Sequence, residues 1–201
     1  KYKYLKKNVI AGFNIVCIGD NRSYSYLPSR NGNTLSDKVL KHVLKLTKKK
    51  YNTFNWTNRG SDERQYCSPG IDLPIATMMR SKYGTYPEYH TSLDNLGNVV
   101  TPSGLNGGYH ILKLAIKTLE KNQFYKTKFL GEPHLSKRKL YPTTSIKNNI
   151  SKELSIMMDV ISYSDGKTPI IEIADKLSIP IRDINKILNK LEKKGIIRKI
   201  L

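Results

Sequence analysis

Two residues in this chain stand where a fold of alternating strands and helices places its chemistry. Asp20 follows an apolar run, residues 9–18, and His90 follows a second run, residues 73–79, across a polar stretch rich in Tyr and Gly. Open α/β sheets gather ligands and reacting groups outside the ends of their strands. A carboxylate there can bind a hard or borderline metal such as zinc. In Gly19-Asp20-Asn21 it can equally be a turn residue whose side chain closes its own loop. His90 sits directly after Tyr89 and four residues before Asp94. A lone His is more often structural than a ligand. As a ligand it would bind through one ring nitrogen and need a neighbour to fix the other.

The elements that must position these residues read as follows. Residues 9–18 and 73–79 are buried strands by their Val, Ile and Met content and their Gly and Pro flanks. Between them, Leu35, Val39, Leu40, Val43 and Leu44 recur at helical spacing, with Thr34 or Ser36 able to cap the start. Lys48-Lys49-Lys50 suits the carbonyl end of that helix. Residues 51–56 are a short strand candidate. Gly107 and Gly108 lead into a helix over 109–122, with Ile111, Leu112, Ala115 and Leu119 on one face. Strands alternating with helices predict an α/β fold, a mostly parallel sheet flanked by helices. From 125 to 149 the periodicity is lost, and an extended connection packed on the first domain is expected. Helices over 151–163, 170–177 and 180–191, then a strand over 196–201, spell a small winged helix-turn-helix domain over 150–201.

Ser61-Asp62, Tyr66, Gly70, Pro74 and His90-Thr91 with Asp94 resemble the second half of the zinc-dependent aminopeptidases of the bacterial leucyl aminopeptidase and aminopeptidase Y kind. Glu63 stands where that family usually has His, and Tyr66 where it has Phe. The wording from Asp62 to Gly70, Glu88-Tyr89-His90-Thr91, Gly131-Glu132-Pro133-His134-Leu135 and Lys139-Leu140-Tyr141-Pro142 resembles one bacterial branch. Its members are aminopeptidase-like, are often associated with surface-polysaccharide genes, and end in a winged helix. The resemblance implies that residues 1–124 are the C-terminal half of the aminopeptidase-like domain. It implies Asp20 and His90 as zinc ligands, two zinc ions in the full-length protein, and a peptide or related amide substrate. It implies Tyr89 as a donor to the developing oxyanion, although a packing role among 13 tyrosines stays open. Asp62 and Asp94 would support the site from behind the ligands. Glu63 with Arg64 is expected as a structural ion pair. The remaining ligands and the catalytic Glu of that family lie upstream of the strand ending at Asp20. The chain is therefore expected to be a fragment that is inactive alone.

Charge and composition bound the alternatives. The 201 residues carry 35 Lys and Arg against 16 Asp and Glu, a net of +19, and only 8 of the basic residues are Arg. A bias toward Lys, Asn and Ile explains that as readily as a binding surface does. Residues 151–201 have a net charge of only +3, so the excess lies mostly outside the helix-turn-helix. A nucleic-acid-binding regulator is therefore disfavoured, and the winged helix is expected to pack on the hydrolase domain or a partner subunit. Homo-oligomerisation through it stays open. A catalytically inactive scaffold is the other alternative. Cys17 and Cys67 make no disulfide framework, and no apolar run approaches a membrane span, so a cytoplasmic protein is expected.

Overall fold

The computed structural model describes residues 2–47, 49–141 and 149–200. The chain divides into two compact units, one through Lys117 and one from Thr118.

In the first unit, a helix α1 (Tyr2–Asn8) with no buried residue precedes strand β1 (Gly12–Ile15). Strand β2 (Tyr24–Leu27) is buried at every position. Helix α2 (Leu35–Leu46) begins at Thr34, which closes a capping box with Asp37. Strand β3 (Tyr51–Thr53), a short helix α3 (Glu63–Tyr66) and strand β4 (Ile75–Met79) follow. Lys48, expected at the end of α2, lies outside the described residues. The sheet order is β1-β4-β2-β3. β1 with β4 and β2 with β3 are parallel, and β2 with β4 is antiparallel, so the sheet is mostly parallel as expected.

Two expectations need correction here. The run 9–18 yields only four strand residues, half-buried rather than buried, with Ile15 43% exposed. Among the described residues β1 is an edge strand that pairs only with β4. The long helix α4 (Pro102–Lys121) starts well before the expected 109. Its glycines are not a loop signal. A Cβ at Gly104 would lie 1.8 Å from the Gly19 carbonyl oxygen, and one at Gly108 would lie 2.9 Å from the Ile18 carbonyl oxygen. Glycine lets the helix run against the backbone that leads to Asp20.

The second unit opens with strand β5 (Phe124–Thr127). Helices α5 (Asn149–Ser162), α6 (Ile170–Leu177) and α7 (Ile181–Lys193) follow, with strand β6 (Asp165–Pro169) between α5 and α6 and strand β7 (Ile197–Ile200) after α7. The sheet is antiparallel in the order β6-β5-β7. Its core is aliphatic, with Met157, Val160, Ile170, Ile171, Ile184, Leu188 and Ile197 at most 1% exposed. This is a winged helix-turn-helix, and it starts earlier than the expected 150. Residues 124–127 form the central strand of its sheet. The following segment is tied to the same unit by the Lys128 amide donating to the Ile196 carbonyl and by Arg138 donating to the Lys194 carbonyl. Leu135 and Leu140 are its buried anchors. Residues 142–148, the remainder of the expected connection, lie outside the described residues.

Candidate functional site

β1 ends because Cys17 adopts a left-handed conformation (φ 49°), which turns the chain out of the ladder toward Asp20. Two bonds nevertheless continue the pairing beyond Ile15, one from the Val16 amide to the Met78 carbonyl and one from the Arg80 amide to the Cys17 carbonyl. The second bond brings Asp20 beside Ser81. Asp20 is 4% exposed. Its Oδ2 accepts the Ser81 amide at 2.7 Å. Its Oδ1 accepts the Ser81 hydroxyl at 2.9 Å and the Arg22 amide at 2.8 Å. A carboxylate has about four acceptor positions, so three donors leave it about one, on Oδ2. Asp20 thus closes its own turn and can still offer one oxygen lone pair.

His90 lies in the polar loop after β4. It is exposed, in the left-handed region at φ 60°, and stacked on Tyr89 with ring centroids 3.9 Å apart. Such a conformation is uncommon for a residue with a Cβ, and His tolerates it better than bulky residues. The loop around it is closed by local bonds. The Tyr89 amide donates to Tyr86, and the Thr91 amide and hydroxyl both donate to the Glu88 carbonyl. Asp94 accepts the Tyr86 hydroxyl at 2.8 Å. Tyr86 also meets Tyr89 edge-on at 5.6 Å. Tyr89 packs against the buried Leu27, Met79 and Tyr83. No described residue hydrogen-bonds to the His90 imidazole. Stacking orients the ring instead of the second hydrogen-bonding group that the sequence reading called for.

Arg22 joins the two loops. Its guanidinium grips Glu88 in a fork at 2.9 and 2.8 Å. The Asp20 turn is therefore attached at two points, Ser81 and Glu88, to the segment that follows the neighbouring strand β4. Sequence reasoning gave neither of these residues a role. The Glu88 carboxyl is held below the usual glutamate range, first by the Arg22 hydrogen bonds.

Asp62 is exposed and makes no capping bond at the start of α3. Its neighbour Glu63 does not pair with Arg64. Glu63 is fully buried, and Oε1 accepts the Gly60 amide (2.7 Å), the Ser61 amide (2.9 Å) and the Tyr83 hydroxyl (2.8 Å). Oε2 accepts Asn14 at 2.8 Å. Burial alone would raise the Glu63 carboxyl, but the two amides and the Tyr83 hydroxyl outweigh it and hold it below the glutamate range. Arg64 turns instead to the Ser61 carbonyl. A buried acid wants several donors more than one exposed cation, which is why the adjacent Glu and Arg misled the sequence reading. Cys67 is buried and its thiol faces the Leu73 and Ile75 carbonyls, so it has a packing role. His42 is buried, and His110 and His134 are exposed.

Among the described residues no group of three or more His, Cys, Asp or Glu could hold a metal ion. Of the two expected ligands, Asp20 keeps one Oδ2 lone pair and His90 an imidazole that no described residue hydrogen-bonds. Two donors fit part of a zinc site, which takes four ligands when structural and three plus water when catalytic.

The sequence of residues 2–122 matches a family described as a domain of unknown function (DUF4910), and residues 123–199 match the winged helix-turn-helix family. The chain belongs to the first of these families and carries the second as its C-terminal domain. It is 35% identical over 179 residues to a Clostridium acetobutylicum protein named as a candidate polysaccharide biosynthesis protein with an aminopeptidase-like domain. That match takes in 89% of this chain and 41% of the relative. A crystal structure of a candidate peptidase from the same organism superposes with a TM-score of 0.84 at 31% identity, over 97% of this chain and 43% of that one. The chain thus spans less than half the length of the relatives it matches. Among the described residues no helix is long and apolar enough to cross a membrane.

Proposed function

We propose that this chain contributes part of the site of a zinc-dependent, aminopeptidase-like metallohydrolase that cleaves peptide or related amide bonds. Asp20 and His90 are its metal ligands in this reading. The observation that carries it is the double tether between the loops bearing those residues, Ser81 on Asp20 and Arg22 on Glu88. A ligand pair drawn from two strand ends has to be fixed in this manner, since small displacements are costly at a reacting centre. Zinc, when bound, would polarise the amide carbonyl and acidify a water. Tyr89 would buttress His90 by stacking and offer its hydroxyl to the oxyanion. Asp94 would hold the loop through Tyr86, and Asp62 would lie at its margin. The relative named for polysaccharide biosynthesis widens the substrate class from peptides to amides carried on saccharides.

The test is zinc content in a longer protein that includes the part of the relatives' length this chain does not cover. Wild type should hold zinc near stoichiometry, H90A should lose most of it, and the 201-residue chain alone should bind weakly and cleave nothing. Unchanged zinc in H90A would sink the assignment.

The second reading, an inactive scaffold, is favoured by one observation. Asp20 already accepts three hydrogen bonds within the fold, which hold its turn without a metal. For partners, we propose that the winged helix docks on protein, with a homo-oligomer as one form, rather than reading nucleic acid. On α7 Asp183 meets both Arg182 and Lys186, at 3.4 and 2.9 Å, and offsets one of their two charges, and Lys190 faces Glu153 at 3.2 Å. Two free cysteines agree with a cytoplasmic setting.

A further inference from the structure

A second site lies in the first unit and shares no role with the metal reading. It is a cavity of about 500 Å³ lined by Arg22, Lys49, Lys50, Arg80, Ser103 and His110 among others, and no carboxylate of the described residues lines it. Arg80 is its most telling member. This side chain leaves the end of β4 and is 5% exposed. Its guanidinium lies on the face of Tyr24, 3.9 Å from the ring centroid. Its Nε has no hydrogen-bond partner, and no described carboxylate pairs with it. An aromatic face offsets positive charge from above the guanidinium plane, whereas the N–H donors radiate within that plane. A buried guanidinium with no carboxylate partner is costly unless an anion meets the part of it that lines the cavity.

The surroundings are cut to leave that space. A Cβ on Gly107 of α4 would fall 2.5 Å from Arg80 Nη1, so glycine makes room for the guanidinium. Arg22 spends its own fork on Glu88 and so is not free to serve the cavity. Lys49 reaches the Tyr24 hydroxyl at 3.5 Å, beside the same ring that carries Arg80. The charge left over is that of Arg80, Lys49 and Lys50.

We infer that this cavity binds a phosphoryl-type oxyanion, with Arg80 as the buried anchor and the two lysines at its rim. A planar guanidinium matches phosphate oxygens edge-on, and lysines act as adaptable point charges beside it. A single carboxylate would leave two of the three cations unmatched. A phosphate dianion comes closer to balance, and the cavity has room for an organic body attached to it.

The experiment is calorimetric titration of the 201-residue chain with inorganic phosphate and with glucose 1-phosphate, in chloride of matched ionic strength, with acetate as the comparison anion. Saturable binding of either phosphate compound is expected. Tighter binding of the ester assigns the natural source to an organic phosphate, and tighter binding of phosphate assigns it to the free ion. R80M should weaken binding at least tenfold, and K49A/K50A should weaken it severalfold with a shallower salt dependence. In phosphate-free buffer R80M should melt no lower than wild type, and phosphate should raise the melting temperature of wild type alone. Should R80M fail to fold, G107A serves in its place. Its methyl pushes on Arg80 from a helix that accepts Ala, and phosphate affinity should fall. Binding no stronger than that of acetate, or wild-type affinity in R80M or in a folded G107A, overturns the inference.

Discussion

Ser81 holds Asp20 by two donors at once, its amide on one carboxylate oxygen at 2.7 Å and its hydroxyl on the other at 2.9 Å. The residue before it, Arg80, lines the basic cavity. One turn after β4 thus serves the Asp20 carboxylate and the cavity in consecutive residues. S81A should cost about 1–3 kcal/mol, because a buried carboxylate loses a donor that water cannot replace. Urea unfolding of S81A against wild type measures it, and a cost within error of zero would mean that Asp20 is not dependent on this clamp.

The Arg22–Glu88 pair is different in kind. Arg22 is 44% exposed, and exposed pairs contribute little to global stability. R22A should therefore leave the melting temperature nearly unchanged. Amide exchange across residues 86–91 should become faster, and added salt should produce the same effect in wild type. Equal exchange in both proteins would show that the pair does not order the His90 loop.

Glu63 makes a pH prediction. Its folded carboxyl titrates below the ordinary 4.5, so its stabilising contribution is complete above that value and is lost as pH falls through the folded value. E63Q should be less stable than wild type at pH 7, by about 1–3 kcal/mol. The difference should hold down to about pH 4.5 and narrow below it. Asp37 behaves alike, since hydrogen bonds from Ser29, Tyr26 and Thr34 hold it low against its burial. Denaturant midpoints measured from pH 7 to pH 3 decide the matter. A gap that widens on acidification would reverse the sign.

How far the sequence spoke can be judged at particular residues. α6 is found at Ile170–Leu177 as read, because its aliphatic face has no competing explanation. β6 (Asp165–Pro169) was invisible, since Gly166 and Pro169 are poor strand formers and only the partner strand β5 makes the segment a strand. β5 itself was lost in what read as a basic connection, because Phe124 and Tyr125 are too short a signal without their neighbours. At the candidate site, Asp20 and His90 were nameable from position and motif. Ser81, Arg22 and Glu88 were not, because a polar residue in a loop reveals its partner only when the fold delivers it.

G104A separates a helix glycine from a packing glycine. In a free helix Ala would gain roughly 1 kcal/mol over Gly. Here its methyl would enter the Gly19 carbonyl oxygen at 1.8 Å, and backbone cannot step aside as a side chain can. A loss of about 1–3 kcal/mol or more is expected in thermal or urea unfolding. A stabilised G104A would mean that α4 does not run against the Asp20 turn.

The winged helix should also fail as a sequence reader. Fluorescence anisotropy of the full chain with random and chosen duplexes at about 0.15 M salt should show weak, unselective binding. Alanine at Arg182, Lys186 or Lys190 should change it little. A chosen duplex bound over a thousandfold more tightly than random DNA would restore the regulator reading.

The pairing of β5 with β7 has a consequence for synthesis on the ribosome. The four described strands of the first unit, β1 to β4, are all available once Met79 is out. The second unit has its central strand near residue 124 and one of that strand's two neighbours at Ile197–Ile200. Phe124, which pairs with Ile200, must wait for some seventy further residues before its edge is covered. The unit therefore carries a long-range contact that slows its closure, and the basic residues along 126–139 would keep the waiting strand in solution.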